Sequence, residues 1–240
     1  MFAGWDSFWR EFIRQFTSTF ITDNRYKQFV TGFLNTLIIM LGAAALGIVI
    51  GTLAAVVRVT YAQAGRRSLP LKILNVVCGV YLTVIRGTPV VVQLMIMYFM
   101  VLKSIDNGVL VAVIAFGINS GAYVAEIIRA GIISVDSGQR EAGQSLGLSG
   151  GMVMRLVILP QAVKNILPAL GNEAISLLKE TAVAGYITVM DLAKAGEYVR
   201  YRNMQSFPLI FVALVYLLLF LIMKKGQSVL ERRLRKSDRG

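Results

Sequence analysis

Apolar residues run along most of this chain in blocks of about twenty or more. Short segments between the blocks hold most of the charge. A helix of about twenty apolar residues crosses a hydrocarbon core of roughly 30 Å. The pattern predicts an all-α membrane protein with about five transmembrane helices, near 30–57, 71–102, 109–135, 156–183 and 207–223. The first span is rich in Gly42, Gly47, Gly51 and alanines, small residues that let membrane helices approach closely. The second is long for one crossing and is interrupted by Gly87-Thr88-Pro89. Proline removes a backbone donor and clashes with the preceding turn, so a kink or break is expected there, or two shorter segments in place of one. Backbone groups freed at membrane depth must face protein or a wet cavity. The fourth span carries Pro160, Pro168 and Gly171.

Residues 1–29 follow a different rhythm. Trp5, Phe8, Trp9, Phe12, Phe16 and Phe20 recur at spacings of three and four, with Asp6, Arg10, Glu11 and Arg14 between them. This is an amphipathic helix with an aromatic stripe, expected either to lie in the membrane interface or to pack on its own bundle. The organisation is therefore an interfacial segment 1–29, a transmembrane domain 30–223 with a charged connector at 136–155, and a basic tail 224–240.

Composition places the chain in the membrane class: of 240 residues 56% are hydrophobic and 16% charged, and the mean hydropathy is +0.65. The formal charge of +12 does not point to nucleic acid, because the basic residues lie in short segments between spans. Their bias sets orientation. Arg58, Arg66, Arg67, Lys72, Arg129, Arg140, Arg155, Lys164 and the basic tail fall on one side, which the positive-inside rule makes cytoplasmic. The expected topology is a multi-pass cell-membrane protein with the N-terminus outside and the C-terminus in the cytoplasm. Cys78 stands alone, so no disulfide framework exists, and histidine is absent. No metal site or cofactor is expected, and the N-terminus does not read as a cleavable signal.

Polar residues inside spans are the candidates for function, because an ionisable group there is costly unless paired or wetted. Asn119, Tyr123 and Glu126 are spaced i, i+4, i+7 and fall within roughly 60° of one another on one helix face. An amide, a phenol and a carboxylate so placed suit an ammonium or a cationic side chain. The structural reading is that Glu126 and Arg129, at i and i+3, satisfy each other. Arg86, Thr88 and Gln93 flank the break in the second span and read as gating or pore-lining residues, with snorkelling or carboxylate pairing of Arg86 as the alternative. Asn172, Glu173, Ser176, Lys179 and Glu180 in the fourth span read as packing and subunit contact. In the connector, Glu141, Ala142, Gly143 and Gly147 combine charge with small residues, the makings of either a docking element or a solvated loop. Gly150-Gly151 permits a sharp turn back.

Those residues carry a resemblance. Glu141-Ala142-Gly143, then Gly147, then Leu159-Pro160 resembles the signature loop of ABC importer permeases, EAA-x3-G-x9-I-x-LP, with Gly143 for the second Ala and Val157 where Ile is usual. Arg86-Gly87-Thr88-Pro89 with Gln93, Ala122-Tyr123 with Glu126, Arg129-Ala130-Gly131 and Gly138-Gln139 resemble the polar amino acid branch of that family. The resemblance covers about residues 30–235. It implies a type I ABC importer permease fold and a pore made with a second permease subunit, in a homo- or heterodimer. It also implies a cytoplasmic ATPase dimer docked on Glu141–Gly147, an external substrate-binding protein and a polar amino acid substrate. The chain has no G-x4-GK[ST] phosphate loop, so ATP hydrolysis is expected of a separate subunit. Two other classes make distinct forecasts. A secondary carrier or channel using Glu126 as an ion site would transport without a partner, and a membrane scaffold would support no flux.

Overall fold

The structure is a computed structural model. It describes residues 2–65 and 67–236, with side chains for 7–65 and 67–234. The side chains of Trp5, Asp6, Arg66, Arg235 and Lys236, and Arg239 as a whole, lie outside what is described. The helices are α1 (Phe2–Phe16), α2 (Tyr26–Gln63), α3 (Leu69–Gly87), α4 (Val90–Ile96), α5 (Gly108–Ile133), α6 (Ser137–Ser145), α7 (Gly150–Val153), α8 (Leu159–Glu180), α9 (Leu192–Asn203) and α10 (Phe207–Lys236). Five helical stretches are long and apolar enough to cross a membrane: 26–63, 69–87, 108–133, 150–187 and 207–234.

The spine is the α2–α5 pair, and small residues make it possible. A Cβ on Gly51 would stand 2.6 Å from Val124, and one on Gly117 2.6 Å from Leu46. Both backbones therefore approach closely, and dispersion contacts replace the hydrophobic drive that lipid does not supply. α5 is the most buried span and α3 the least. Around α5 gather Ile39, Leu94, Phe116, Leu177 and Ile187, all fully buried.

Three features differ in extent from the sequence pattern. The first apolar run sits inside a helix of 38 residues, about 57 Å long at 1.5 Å per residue, so polar ends extend the span beyond the hydrocarbon. The last helix does not stop at Met223 but continues to Lys236. Gln227, buried in this continuation, donates to Pro168 O at 3.0 Å and to Asn172 Oδ1 at 2.9 Å. These two bonds tie α10 to α8 beside Pro168. The predicted fourth span begins earlier, at Gly150, and widens into a π-turn at Met154–Ile158 just before Pro160. A proline has no N–H to give back to the preceding turn, and a widened turn absorbs the clash.

The aromatic stripe of the N-terminal segment divides. Phe20 is buried against Phe29 and Phe211, with ring centroids 5.3 and 4.7 Å away, and Phe12 meets Phe207 edge-on at 5.7 Å. Phe8 and Trp9 remain at least half exposed. The stripe thus packs on its own bundle at one end and presents aromatics outward at the other. Arg25 pins this corner: it is buried and donates to Ser18 O at 2.8 Å and to Asn203 Oδ1.

Candidate functional site

The break in the second span forms as expected. α3 ends at Gly87, Thr88 and Pro89 are extended, and α4 begins at Val90. The freed groups are satisfied by one side chain. Gln93 Nε2 donates to Ile85 O at 2.8 Å and to Thr88 Oγ1 at 2.6 Å, with Thr88 O at 3.1 Å. Thr88 Oγ1 in turn donates to Val84 O at 2.8 Å. Gln93 Oε1 accepts from Asn119 Nδ2 at 2.9 Å. One network therefore stitches α3, α4 and α5 together at the break. Tyr81 adds a second stitch, its hydroxyl donating to Ile118 O at 2.6 Å.

Asn119 is only 3% exposed and stands behind the site rather than on its wall. Tyr123 and Glu126, on the same α5 face, reach the surface beside Arg86. The Arg86 guanidinium lies over the Tyr123 ring at 5.7 Å and 3.9 Å from the Glu126 carboxylate. Arg129 grips the other side of that carboxylate, through Nε at 3.0 Å and Nη2 at 2.5 Å. The i, i+3 pair expected as the structural alternative is thus present, and Arg86 is a second, looser cation. The cluster holds two guanidiniums, one carboxylate and one phenol. About a third of each of the Glu126 and Arg129 side chains stays exposed, and 43% of Arg86. Deeper between α5 and α8, Ser120 Oγ donates to Glu173 at 2.7 Å, which ties that fourth-span residue to α5.

Three residues, Ser134 to Asp136, separate α5 from the connector helix α6. Asp136 caps α6, accepting from Gly138 N at 2.6 Å. Gly143 is buried because a Cβ there would meet Val153 Cγ2 at 2.9 Å, so α6 lies directly on α7. Gly147 has φ +82°. Gly147 N donates to Gln144 O at 2.9 Å and Leu148 N to Gly143 O at 3.2 Å, the paired bonds of a Schellman end. The glycine expected to admit a partner surface is in the left-handed position that ends the helix, with open space beyond it. Glu141 and Ala142 are exposed. Sequence reasoning missed Leu146, which is 83% exposed at the tip of α6. Two leucines, Leu146 and Leu148, stand in the polar connector, and the sequence alone does not tell the exposed one from Leu148, which packs on the cluster beneath. Beneath α6, Ile132, Val153, Ile158, Ala162 and Ile166 form one cluster that joins α5, α7 and α8, and Gly143 of α6 rests on Val153 of that cluster.

No group of three or more His, Cys, Asp or Glu side chains that could hold a metal occurs among the described residues.

Comparison with known proteins identifies this architecture. The sequence profile of the family described as the binding-protein-dependent transport system inner membrane component matches residues 47–236. A putative glutamine transport system permease protein of Rickettsia bellii is 39% identical over 209 residues, covering 85% of this chain and 92% of the relative. The arginine transport system permease protein of Bacillus subtilis is 43% identical over 164 residues, 66% of this chain and 74% of the relative. Among solved structures, an amino acid ABC transporter crystallised with histidines superposes with TM-score 0.79 at 39% identity, covering 89% of this chain and 98% of that one. The methionine transporter MetNI, in inward-facing conformations, shares the fold at TM-score 0.73 and 19% identity. The chain belongs to the family of inner membrane components of binding-protein-dependent transport systems, as a pore-forming permease subunit with the type I ABC importer fold.

Proposed function

We propose that this permease carries a polar amino acid into the cytoplasm by alternating access, in a pore completed by a second permease subunit. ATP hydrolysis belongs to a separate cytoplasmic ATPase dimer, and an external binding protein delivers the substrate. The N-terminus lies outside and the C-terminus in the cytoplasm, which puts α6 on the ATPase side. Relatives named for glutamine, arginine and cystine support the substrate class.

The observation that carries the reading is the placement of two features on one rigid element. The Arg86–Tyr123–Glu126–Arg129 cluster lies on and against α5, and α5 leads within three residues to α6. A zwitterion complements that cluster. Its carboxylate suits Arg86, whose 3.9 Å approach to Glu126 leaves donors unspent. Its ammonium suits the Glu126 carboxylate and the Tyr123 face. Asn119, Gln93 and Thr88 hold the wall and its break in place. Glu141, Ala142, Gly143 and Gly147 form the coupling helix, with Leu146 as the apolar anchor in the ATPase groove. ATP binding shifts the equilibrium between outward- and inward-facing states only by contacts that differ between them, and the coupling helix is where those contacts are made. In the carrier reading Glu126 is an ion or proton site that works without a partner protein, and the family's dependence on a binding protein speaks against it.

Reconstitution with the ATPase and binding protein tests this. Uptake of a labelled polar amino acid is expected to require ATP and both partners. Uptake driven by membrane potential alone, with no ATPase, would overturn it.

A further inference from the structure

Near the start of α6, the ends of α2, α3 and α5 flank a cleft of about 620 Å³ that adjoins the proposed substrate cluster and shares Arg129 with it. Four arginines from separate places in the chain line it: Arg58 at the end of α2, Arg67 before α3, Arg129 on α5 and Arg140 on α6. Glu126 compensates Arg129. The other three make no ion pair among the described residues, although the charge of Arg58 also reaches Glu126. Arg58 donates to Asn75 Oδ1 at 3.1 Å, and Arg67 lies over the Tyr61 ring at 4.6 Å. One lining carboxylate, Asp136, caps α6 with Oδ1 and keeps its charge, so a single lining carboxylate faces four guanidiniums. Four guanidiniums crowded into a cleft create a strong positive potential that an anion relieves. Arginine forks match the geometry of phosphate oxygens.

The cleft is also partly apolar, with Ile132 and Ile133 among its lining residues. Beside it α3 turns Ile73, Val76 and Val77 outward, each more than half exposed, on the least buried span. A charged pocket at the end of the spans that opens onto an apolar helix face fits an amphiphile better than a soluble anion. We propose that this cleft binds the phosphate headgroup of an anionic phospholipid of the cytoplasmic leaflet, with its acyl chains along the exposed face of α3. The headgroup joins α2 and α3 to α6, so it braces the coupling helix against the bundle. The leaflet assignment rests on the orientation proposed above, whereas binding itself does not depend on it.

Native mass spectrometry of the permease–ATPase complex reads the proposal directly. The probes are phosphatidylglycerol, phosphatidylcholine and inorganic phosphate. The wild-type complex is expected to retain phosphatidylglycerol over phosphatidylcholine. The double variant Arg58→Gln/Arg67→Gln should retain about tenfold less of it or worse, and Arg58→Lys/Arg67→Lys should keep most of it. An unchanged melting temperature in both variants separates lost binding from misfolding; if the glutamine pair misfolds, Arg67→Gln alone carries the comparison. Equal retention of the two lipids, or retention unaffected by the glutamine variants, overturns the proposal. So does displacement of phosphatidylglycerol by millimolar phosphate, which assigns the cleft to a soluble anion. Loss of the lipid when the ATPase docks also overturns it, since the cleft would then belong to that interface. A labelling experiment that reversed the orientation would leave the binding result standing and move only the leaflet.

Discussion

At Glu126 the structural pairing is present, and the proposed substrate contact rests on the exposure that the pairing leaves. The carboxylate is paired with Arg129 and approached by Arg86, yet the cluster stays partly exposed. Exposed pairs of this kind contribute about 1 kcal/mol or less to stability, so the pairing does not dominate folding. Glu126→Gln is expected to weaken apparent transport affinity roughly ten- to a hundredfold, the loss of one charge-assisted hydrogen bond of about 1.5–3 kcal/mol, with little change in melting temperature. A large fall in melting temperature with normal uptake in the surviving protein would make the pair purely structural. The i, i+4, i+7 spacing of Asn119, Tyr123 and Glu126 put all three on one face, and the face was legible. That Asn119 turns inward to Gln93 was not, because its partner lies 26 residues away across a helix break. Asp191 escaped sequence reading because its burial is set by a span more than 150 residues away, where Leu192 N donates to Thr36 Oγ1. It is fully buried between spans, caps α9 by accepting from Lys194 N at 2.6 Å, and leaves Oδ2 without a partner. Burial pushes its carboxyl up to about 7, against the opposing pull of the Lys194 backbone bond and charge, and with a small push from Glu197 in the same direction as burial. The folded state therefore favours the protonated form. That contribution is complete below about pH 4 and is lost as pH rises to about 7, at up to about 1.4 kcal/mol per unit. Melting temperature against external pH should fall over that window in wild type. In Asp191→Asn, which keeps a capping oxygen but cannot ionise, the slope should flatten; an unchanged slope would assign the pH dependence elsewhere.

At the scale of elements, proline and glycine positions carried most of the information. Gly87-Thr88-Pro89 announced the break between α3 and α4, and the structure supplies the compensation the break requires in Gln93. Replacing Gln93 by Leu keeps the volume and strands the Ile85 carbonyl. A cost of about 1–3 kcal/mol is expected, read as a lower melting temperature. No change would mean that water already satisfies the break. Gly147 was chosen from sequence for lack of bulk, but its φ of +82° makes the backbone the stronger reason. A residue with a Cβ there costs about 1–2 kcal/mol, and asparagine tolerates the conformation better than others. Gly147→Asn should therefore retain ATPase assembly better than Gly147→Val. Equal loss in both would point to steric docking rather than helix ending. The extent of α10 was not legible, since its basic continuation reads as a tail until Gln227 and Asn172 are seen to meet.

Across the whole molecule, the five spans and their polar breaks place a charged cluster and an exposed connector helix close together at one end of α5. Close α2–α5 packing and the cluster of Ile132, Val153, Ile158, Ala162 and Ile166 make the bundle stiff enough to carry a displacement. The hydrophobic pattern showed the spans because hydrocarbon forces every backbone group into helices. It could not show that Leu146 stands 83% exposed at the end of α6, because exposure in a connector follows from how α6 packs on α7. The orientation is checked by cysteine accessibility in a Cys78→Ala background. A cysteine at Ser149 should be labelled from the cytoplasm and one at Ser206 from outside, and labelling from one side would break the span count between them. The most direct test of the account is simultaneous measurement of amino acid uptake and binding-protein-stimulated ATP hydrolysis in proteoliposomes, for wild type, Glu126→Gln and Leu146→Asp. The account predicts that Glu126→Gln loses uptake while most stimulated hydrolysis survives, and that Leu146→Asp loses both while its melting temperature is unchanged. Stimulated hydrolysis and uptake at wild-type levels in Leu146→Asp would contradict it, because the connector helix would then not be the contact through which ATP drives transport.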